Sequence, residues 1–261
     1  EELFEDVRAS ILLVSDDGER LIIGAAPNLP VQYNEAIDGI EIGESVGSCG
    51  TAAFRRERVI VGDIQADPLW QPYRELASCF DLGACWSQPV LSSTDDVLGT
   101  FAMYYAEPRK PSTDELDFID HAARLAGVAI ERWRAETVLQ RQQRELEAIL
   151  DAVQAQVVYM DAEARSIRHN RLSRELLGLG DEGIRGNTVI DQSPNLDNAE
   201  LQHQQSLEVI RTGIPKLGSI EKFEGGSRGG KHERWVSIDK VPTFDDEGNV
   251  DGLLLFGYDI T

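Results

Sequence analysis

The sequence predicts an α+β chain of two domains joined by one long helix. Three observations predict it. Short runs of β-branched and aromatic residues, broken by turn residues, recur up to about Glu107. A helical repeat then continues from about Ser112 to Val153. Past Gln154 the strand-and-turn pattern returns, interleaved with two helical stretches. The 261 residues suffice for two ordinary domains, and a 41% hydrophobic content supplies their cores.

Taken in order, "ASILLVSDDGERLIIGAA" is two apolar runs around Asp16-Asp17-Gly18, the pattern of a hairpin. "RVIVGDI" is a short β-branched strand. "GACWSQPVL" and "VLGTFAMYYAE" are two strands joined by the polar turn Ser92-Ser93-Thr94-Asp95-Asp96. The long helix opens at Pro111-Ser112-Thr113-Asp114-Glu115, where Ser112 caps and Glu115 reaches back as a capping box. A heptad runs from Leu125: one seam position holds Leu125, Arg132, Leu139, Leu146 and Val153, the other Val128, Ala135, Gln142 and Ile149. Arg132 and Gln142 interrupt the seam, as polar residues do where register and oligomer state are fixed at some cost in stability. The alternative is a helix packed only on its own domain; its length and the charged stretch "ERWRAETVLQRQQRE" favour a connector.

In the second domain "AQVVYMDAEARSIRHN" is strand, turn, strand, and "RLSRELLGL" a short helix. "NAELQHQQSLEVIRTG" is a longer helix stopped at Gly213. "GSIEKFE", "HERWVSIDKVPTF" and "VDGLLLFGYDI" are three antiparallel strands, with "GGSRGGK" and Asp245-Asp246-Glu247-Gly248-Asn249 as their turns.

A net charge of -21 sets the chain against the nucleic-acid backbone, so direct DNA or RNA binding is not expected. The acid-rich, lysine-poor balance fits a salt-adapted protein, but also an ordinary bacterial one, which is the favoured reading. No run approaches the roughly 20 apolar residues of a membrane helix. The acidic start "EELFEDVRAS" has no signal-peptide core and no initiator Met, so the chain is expected to begin inside a longer protein. Three cysteines, Cys49, Cys79 and Cys85, without a CxxC pair fit a reducing, cytoplasmic setting rather than a disulfide framework or zinc site.

The most suggestive stretch for chemistry is Gly47-Ser48-Cys49-Gly50-Thr51-Ala52-Ala53. Its glycines lack the G-x-G-x-x-G spacing, and neither it nor "GGSRGGKH" forms a P-loop. Cys49 has no histidine near it in sequence to act as a base. The stretch is therefore expected to be a tight small-residue turn into a helix, with Cys49 a packed thiol. No metal-ligand spacing occurs. His203, on a helical stretch of the second domain, is the single candidate haem ligand, and a lone helical histidine reads more simply as a surface residue.

The ordered series G-S-C-G-T-A-A, V-I-V-x-D-I-x-x-D-P-L-W, A-C-W-S-x-P, V-L-G-T-F-A-M-Y-Y, P-R-x-P-S and A-G-V-A-I-E-R resembles the GAF domains of bacterial and archaeal sensor proteins over most of residues 9–135. "ILDAVQAQVVYMDAEARSIRHN", "SRELLGL", "EVIRTGIPKLG" and "ERWVSIDKVPTFDDEGNVDGLLLFGYDIT" resemble a PAS domain, closing on Asp259-Ile260-Thr261. The resemblance implies an α+β chain of two antiparallel-sheet sensor domains, often with a ligand pocket against the sheet. It divides the chain into a GAF-like domain over 1–135, a coiled-coil linker over 136–153 and a PAS-like domain over 154–261. It also implies a non-enzymatic, cytoplasmic input module upstream of an output unit such as a histidine kinase, none of whose motifs occurs here.

No bilin-attachment cysteine followed by histidine is present, no flavin-adduct motif, and no cyclic-nucleotide pattern. G-x-C-G-T-A also resembles free methionine sulfoxide reductases, but their flanking histidine motifs are missing around Cys49 and Cys79. A pocketless dimerisation and relay unit is a third alternative. The expected assembly is a parallel homodimer through the helix near 112–155. In the first domain the expected pocket places Cys49 beside aromatic walls of Trp70, Tyr73 and Trp86, with Asp63 or Ser87 as polar contacts; in the second the expected lining is His203, Leu207, Trp235 and Ile238. The small-molecule ligand is unnamed by any of these residues.

Overall fold

A computed structural model describes residues 7–178, 180, 184–192, 198–224 and 233–261. The chain divides into two compact units, Glu1–Val138 and Leu139–Thr261. The turn expected at "GGSRGGK" lies outside the described residues.

The first unit is a six-stranded antiparallel sheet. Its strands are β1 (Arg8–Val14), β2 (Arg20–Ala25), β3 (Ile40–Glu41), β4 (Val59–Val61), β5 (Ala84–Leu91) and β6 (Val97–Tyr105), in the order β3-β2-β1-β6-β5-β4. β1 and β2 form the expected hairpin, with Gly18 at φ 77 in its turn. β5 and β6 pair along their length, from Ala84 opposite Tyr105 to Leu91 opposite Val97.

Period-two alternation sends the two faces of β5 in opposite directions. Cys85 joins a core with Tyr33, Ile37, Cys49, Ala52, Trp70 and Tyr104, under helices α1 (Val31–Ile37) and α2 (Gly47–Arg55) and a 3-10 helix, Pro68–Tyr73. Helix α3 (Arg74–Cys79) follows the 3-10 helix directly. Trp86 faces the other way and packs with Met103, Tyr105 and Ile119. Ile119 belongs to α4 (Thr113–Ala152), whose Ala123, Ala126 and Ile130 cover the same face of the sheet against Val90 and Leu98. Each buried Val, Leu or Ile side chain, taken from water, stabilises the fold by about 1.5–3 kcal/mol. Gly127 lets the helix settle close: a Cβ there would lie 2.6 Å from Leu91 O.

The expected capping box is formed. Ser112 Oγ accepts from Glu115 N at 3.3 Å, and Glu115 Oε2 accepts from Ser112 N at 2.8 Å. Glu115 is nevertheless buried, because Tyr105 Oη and Arg109 also donate to it. Burial pushes its carboxyl up, but the Ser112, Tyr105 and Arg109 contacts outweigh burial and hold its pKa below the ordinary value.

The second unit is a five-stranded antiparallel sheet in the order β8-β7-β11-β10-β9. The strands are β7 (Gln156–Asp161), β8 (Ser166–His169), β9 (Lys216–Glu224), β10 (Glu233–Phe244) and β11 (Val250–Asp259). Between β8 and β9 come helices α5 (Arg171–Leu177), α6 (Val189–Gln192) and α7 (Ala199–Thr212). α7 stops at Gly213, whose φ of 66 ends the helix in the left-handed conformation. No helix of the described residues is long and apolar enough to cross a membrane.

Candidate functional site

In the first unit "GSCGTAA" is the opening turn and body of α2, with every residue from Gly47 to Ala53 buried. The expected turn before a helix is thus already helical. Gly50 is required by close approach: a Cβ there would meet Glu41 O at 2.6 Å. Ser48 Oγ donates to Cys85 O at 3.1 Å and accepts from Trp70 Nε1 at 2.9 Å, which pins α2 between β5 and the 3-10 helix. Cys49 Sγ lies 3.6 Å from Tyr104 Oη, and Tyr104 Oη is 3.2 Å from Ser10 Oγ. The Cys85 thiol, hydrogen-bonded to Cys49, is the leading cause that lowers the Cys49 pKa to about 7; burial opposes it. Cys85 itself is pushed up, first by its own burial.

The space beside this cluster is small, about 20 Å3, and Cys49, Trp70 and Tyr73 line it together with Tyr33 and Tyr104. Three expected residues are elsewhere. Trp86 is on the α4 face, where Arg109 stacks 5.4 Å from its ring centroid. Ser87 is buried on β5 beside the Cys49 thiol, outside the lining. Asp63 folds its own turn, accepting from Gln65 N at 3.0 Å and Ala66 N at 3.3 Å. For Trp86 and Asp63 the reason is local: one residue along a strand reverses the face, and a carboxylate followed by two free backbone N–H groups bonds them first.

The second unit holds a cavity of about 120 Å3 between the sheet and α5, α6 and α7. Val158 and Met160 of β7, Val236 and Ile238 of β10 and Leu255 of β11 form its apolar floor. His169, Ser173, Gln202 and Ser206 supply polar groups. His169 is buried, with Nδ1 2.8 Å from Ser173 Oγ and Nε2 3.1 Å from Ser166 Oγ. Burial, and then the nearby Arg174 guanidinium, lower its pKa to about 4, so the imidazole is neutral at pH 7.

Of the four residues expected here, Ile238 lines the cavity. His203, Leu207 and Trp235 do not; Leu207 and Trp235 are 38% and 45% exposed. Each lies one residue from a lining position, next to Gln202, Ser206 and Val236. On α7 two polar residues four apart, Gln202 and Ser206, occupy the face toward the cavity. His203 is half-buried, its Nδ1 without a hydrogen-bond partner among the described residues.

Asn170, which follows His169, ties this cavity wall to the end of α4. Asn170 Oδ1 accepts from Val157 N and Ser173 N, each at 3.0 Å. Its Nδ2 donates to Leu150 O at 3.1 Å and Ala155 O at 2.8 Å. Asp151 Oδ1 adds a bond from Arg171 N at 2.6 Å. The sequence reading passed over Asn170, although an asparagine between a strand and a helical stretch is a capping signal.

The family model described as a GAF domain matches residues 1–131, about half of the chain. The chain belongs to the GAF family. A model of the PAS fold matches residues 150–261, so the GAF domain is followed by a PAS domain. A similar protein is the methyl sulfide methyltransferase-associated sensor of Methanosarcina acetivorans, 37% identical over 185 residues, which are 70% of this chain and 18% of that protein. The match thus spans under a fifth of that relative's length. Similar solved structures include the Escherichia coli DhaR(N)–DhaL complex, with a TM-score of 0.48 and 17% identity over 97% of this chain and 80% of that one. Another is the PAS domain of Bordetella pertussis BvgS, with a TM-score of 0.38 and 20% identity over 46% of this chain and 88% of that one.

Proposed function

We propose that this chain is the sensory input module of a longer cytoplasmic signal-transduction protein, with the PAS cavity receiving a small molecule and α4 relaying its occupancy within a parallel homodimer. The output unit, a histidine kinase or a similar enzyme, lies outside the chain. The observation that carries the reading is the Asn170 junction. His169 and Ser173 line the cavity, and the residue between them in the fold hydrogen-bonds the last turn of α4 at Leu150 O. A ligand that shifts β8 or α5 therefore bears on α4 through one buried side chain. A population shift of this kind needs two states that the ligand binds unequally.

The sensory role of the Methanosarcina relative supports the same reading. So does the α4 surface. Leu125, Val128, Leu139, Leu146 and Ile149, all on the heptad positions, are more than half exposed in the single chain. A second copy of the helix in register would cover them. The proposed domain limits keep the GAF domain to 1–135, the linker to 136–153 and the PAS domain to 154–261. The module is read as non-catalytic: Cys49 and Cys85 are buried, and no histidine hydrogen-bonds a cysteine among the described residues. Light scattering at micromolar concentration tests the assembly. A dimer that Leu139→Glu with Leu146→Glu converts to monomer is expected; a wild-type monomer contradicts the relay.

A further inference from the structure

One polar group in the PAS cavity is left unsatisfied by the protein. Gln202 is 4% exposed and lines the cavity, yet neither its Nε2 nor its Oε1 has a hydrogen-bond partner among the described residues. Buried amides are normally paired, because an unmade bond in the interior forfeits hydration with nothing in return. Three other lining residues, Ser206, His169 and Gln192, have protein partners. Ser206 Oγ donates to Gln202 O at 2.9 Å, and His169 is held by two serine hydroxyls. Gln192 Nε2 donates to Ile184 O at 3.1 Å.

Charge narrows the ligand further. No carboxylate lines the cavity among the described residues, so a cation finds no counter-charge. His169 is neutral, and Arg234, the one charged lining residue described, is partly exposed and acts on the carboxylate of Asp259. The volume, about 120 Å3, is somewhat below the ~150 Å3 of an apolar cavity that takes benzene, which sets a single six-membered ring of about six to seven non-hydrogen atoms in all.

We infer that the PAS cavity binds a small neutral cis-amide, a lactam or cyclic urea, whose adjacent N–H and C=O pair with Oε1 and Nε2 of Gln202. Its apolar ring lies on Val158, Met160, Val236 and Ile238. The inference rests on the reading that this cavity receives a ligand, and adds the ligand's chemical class.

The test is a methyl-detected NMR titration of the full 261-residue chain with four probes: δ-valerolactam, N-methyl-δ-valerolactam, valerate and toluene. The expected result is saturable shifts of the Ile238, Val236 and Met160 methyl groups with δ-valerolactam, and binding at least tenfold weaker for the N-methyl compound and for valerate. Gln202→Leu weakens δ-valerolactam at least tenfold while taking up toluene, which also shows that the variant folds. Gln202→Glu, of the same size but without the donor, weakens δ-valerolactam as well. Equal binding of the N-methyl lactam or toluene by the wild type overturns the cis-amide assignment, as does tighter binding of valerate or indifference to Gln202→Leu. If toluene or valerate fills the cavity and the lactam does not, the ligand class falls and the receptor reading stands. If no probe shifts the cavity methyl groups, both fall.

Discussion

Replacing Asn170 by alanine removes four hydrogen bonds at once and leaves Val157 N, Ser173 N, Leu150 O and Ala155 O without their side-chain partner. Asn170 is 3% exposed, and Val157, Ser173 and Ala155 are buried, so water reaches few of these groups. At about 1 kcal/mol net for each bond, less where the half-buried Leu150 can be hydrated, the loss is about 3 kcal/mol. That sum includes the lost N-cap of α5. Asn170→Asp separates the two halves of the contact. It keeps the acceptor for Val157 N and Ser173 N but sets a carboxylate against two carbonyl oxygens, with an expected loss of about 2 kcal/mol or more at pH 7. Urea-dependent hydrogen exchange on peptides spanning 150–175 reads the change without interference from the GAF domain. A loss below about 1 kcal/mol for Asn170→Ala, with protection at Ala155 and Val157 unchanged, would refute the role given to this junction.

Other outcomes follow from the same structure. Because the His169 pKa is lowered to about 4 in the fold, the unfolded chain binds a proton that the native chain does not between that pH and the ordinary imidazole range. PAS stability is therefore fully present near pH 7.5 and falls toward pH 4 by up to about 3 kcal/mol, a slope that urea melts across this range measure and that His169→Gln flattens. Gly127→Ala destabilises the GAF domain by about 1–3 kcal/mol in thermal melts despite alanine's better helix propensity, since its Cβ meets Leu91 O. Alkylation kinetics give Cys79, the exposed thiol, the fast rate, with Cys49 reacting only as the GAF domain opens, although its pKa is the lowered one.

Much of the architecture was legible because it rests on local patterns. β6 carries a dense β-branched and aromatic run, and the α4 start carries a capping box. Several short elements were not legible. α1, α3, α6 and the 3-10 helix Pro68–Tyr73 are four to seven residues each, too short for a period to show, and tertiary packing fixes them. Site residues were hard for a different reason. A cavity with polar walls inverts the usual reading of a helix face, so the expected lining includes Leu207 and leaves out Gln202 and Ser206. Trp86 and Trp235 drew attention as large aromatics, but strand alternation points each away from the pocket next to it, and alternation alone does not say which face is hollow.

The central claim is that the state of the PAS cavity is felt on α4. Ser206→Leu fills the cavity from α7 without touching Asn170, and so imitates an occupant. Hydrogen exchange of peptides covering 139–152 measures the response. At least a threefold change in exchange is expected in the wild-type background, and its disappearance when Asn170→Ser is added. Unchanged exchange at 139–152 in Ser206→Leu, with the cavity methyl groups of Val236 and Ile238 shifted, would contradict the account.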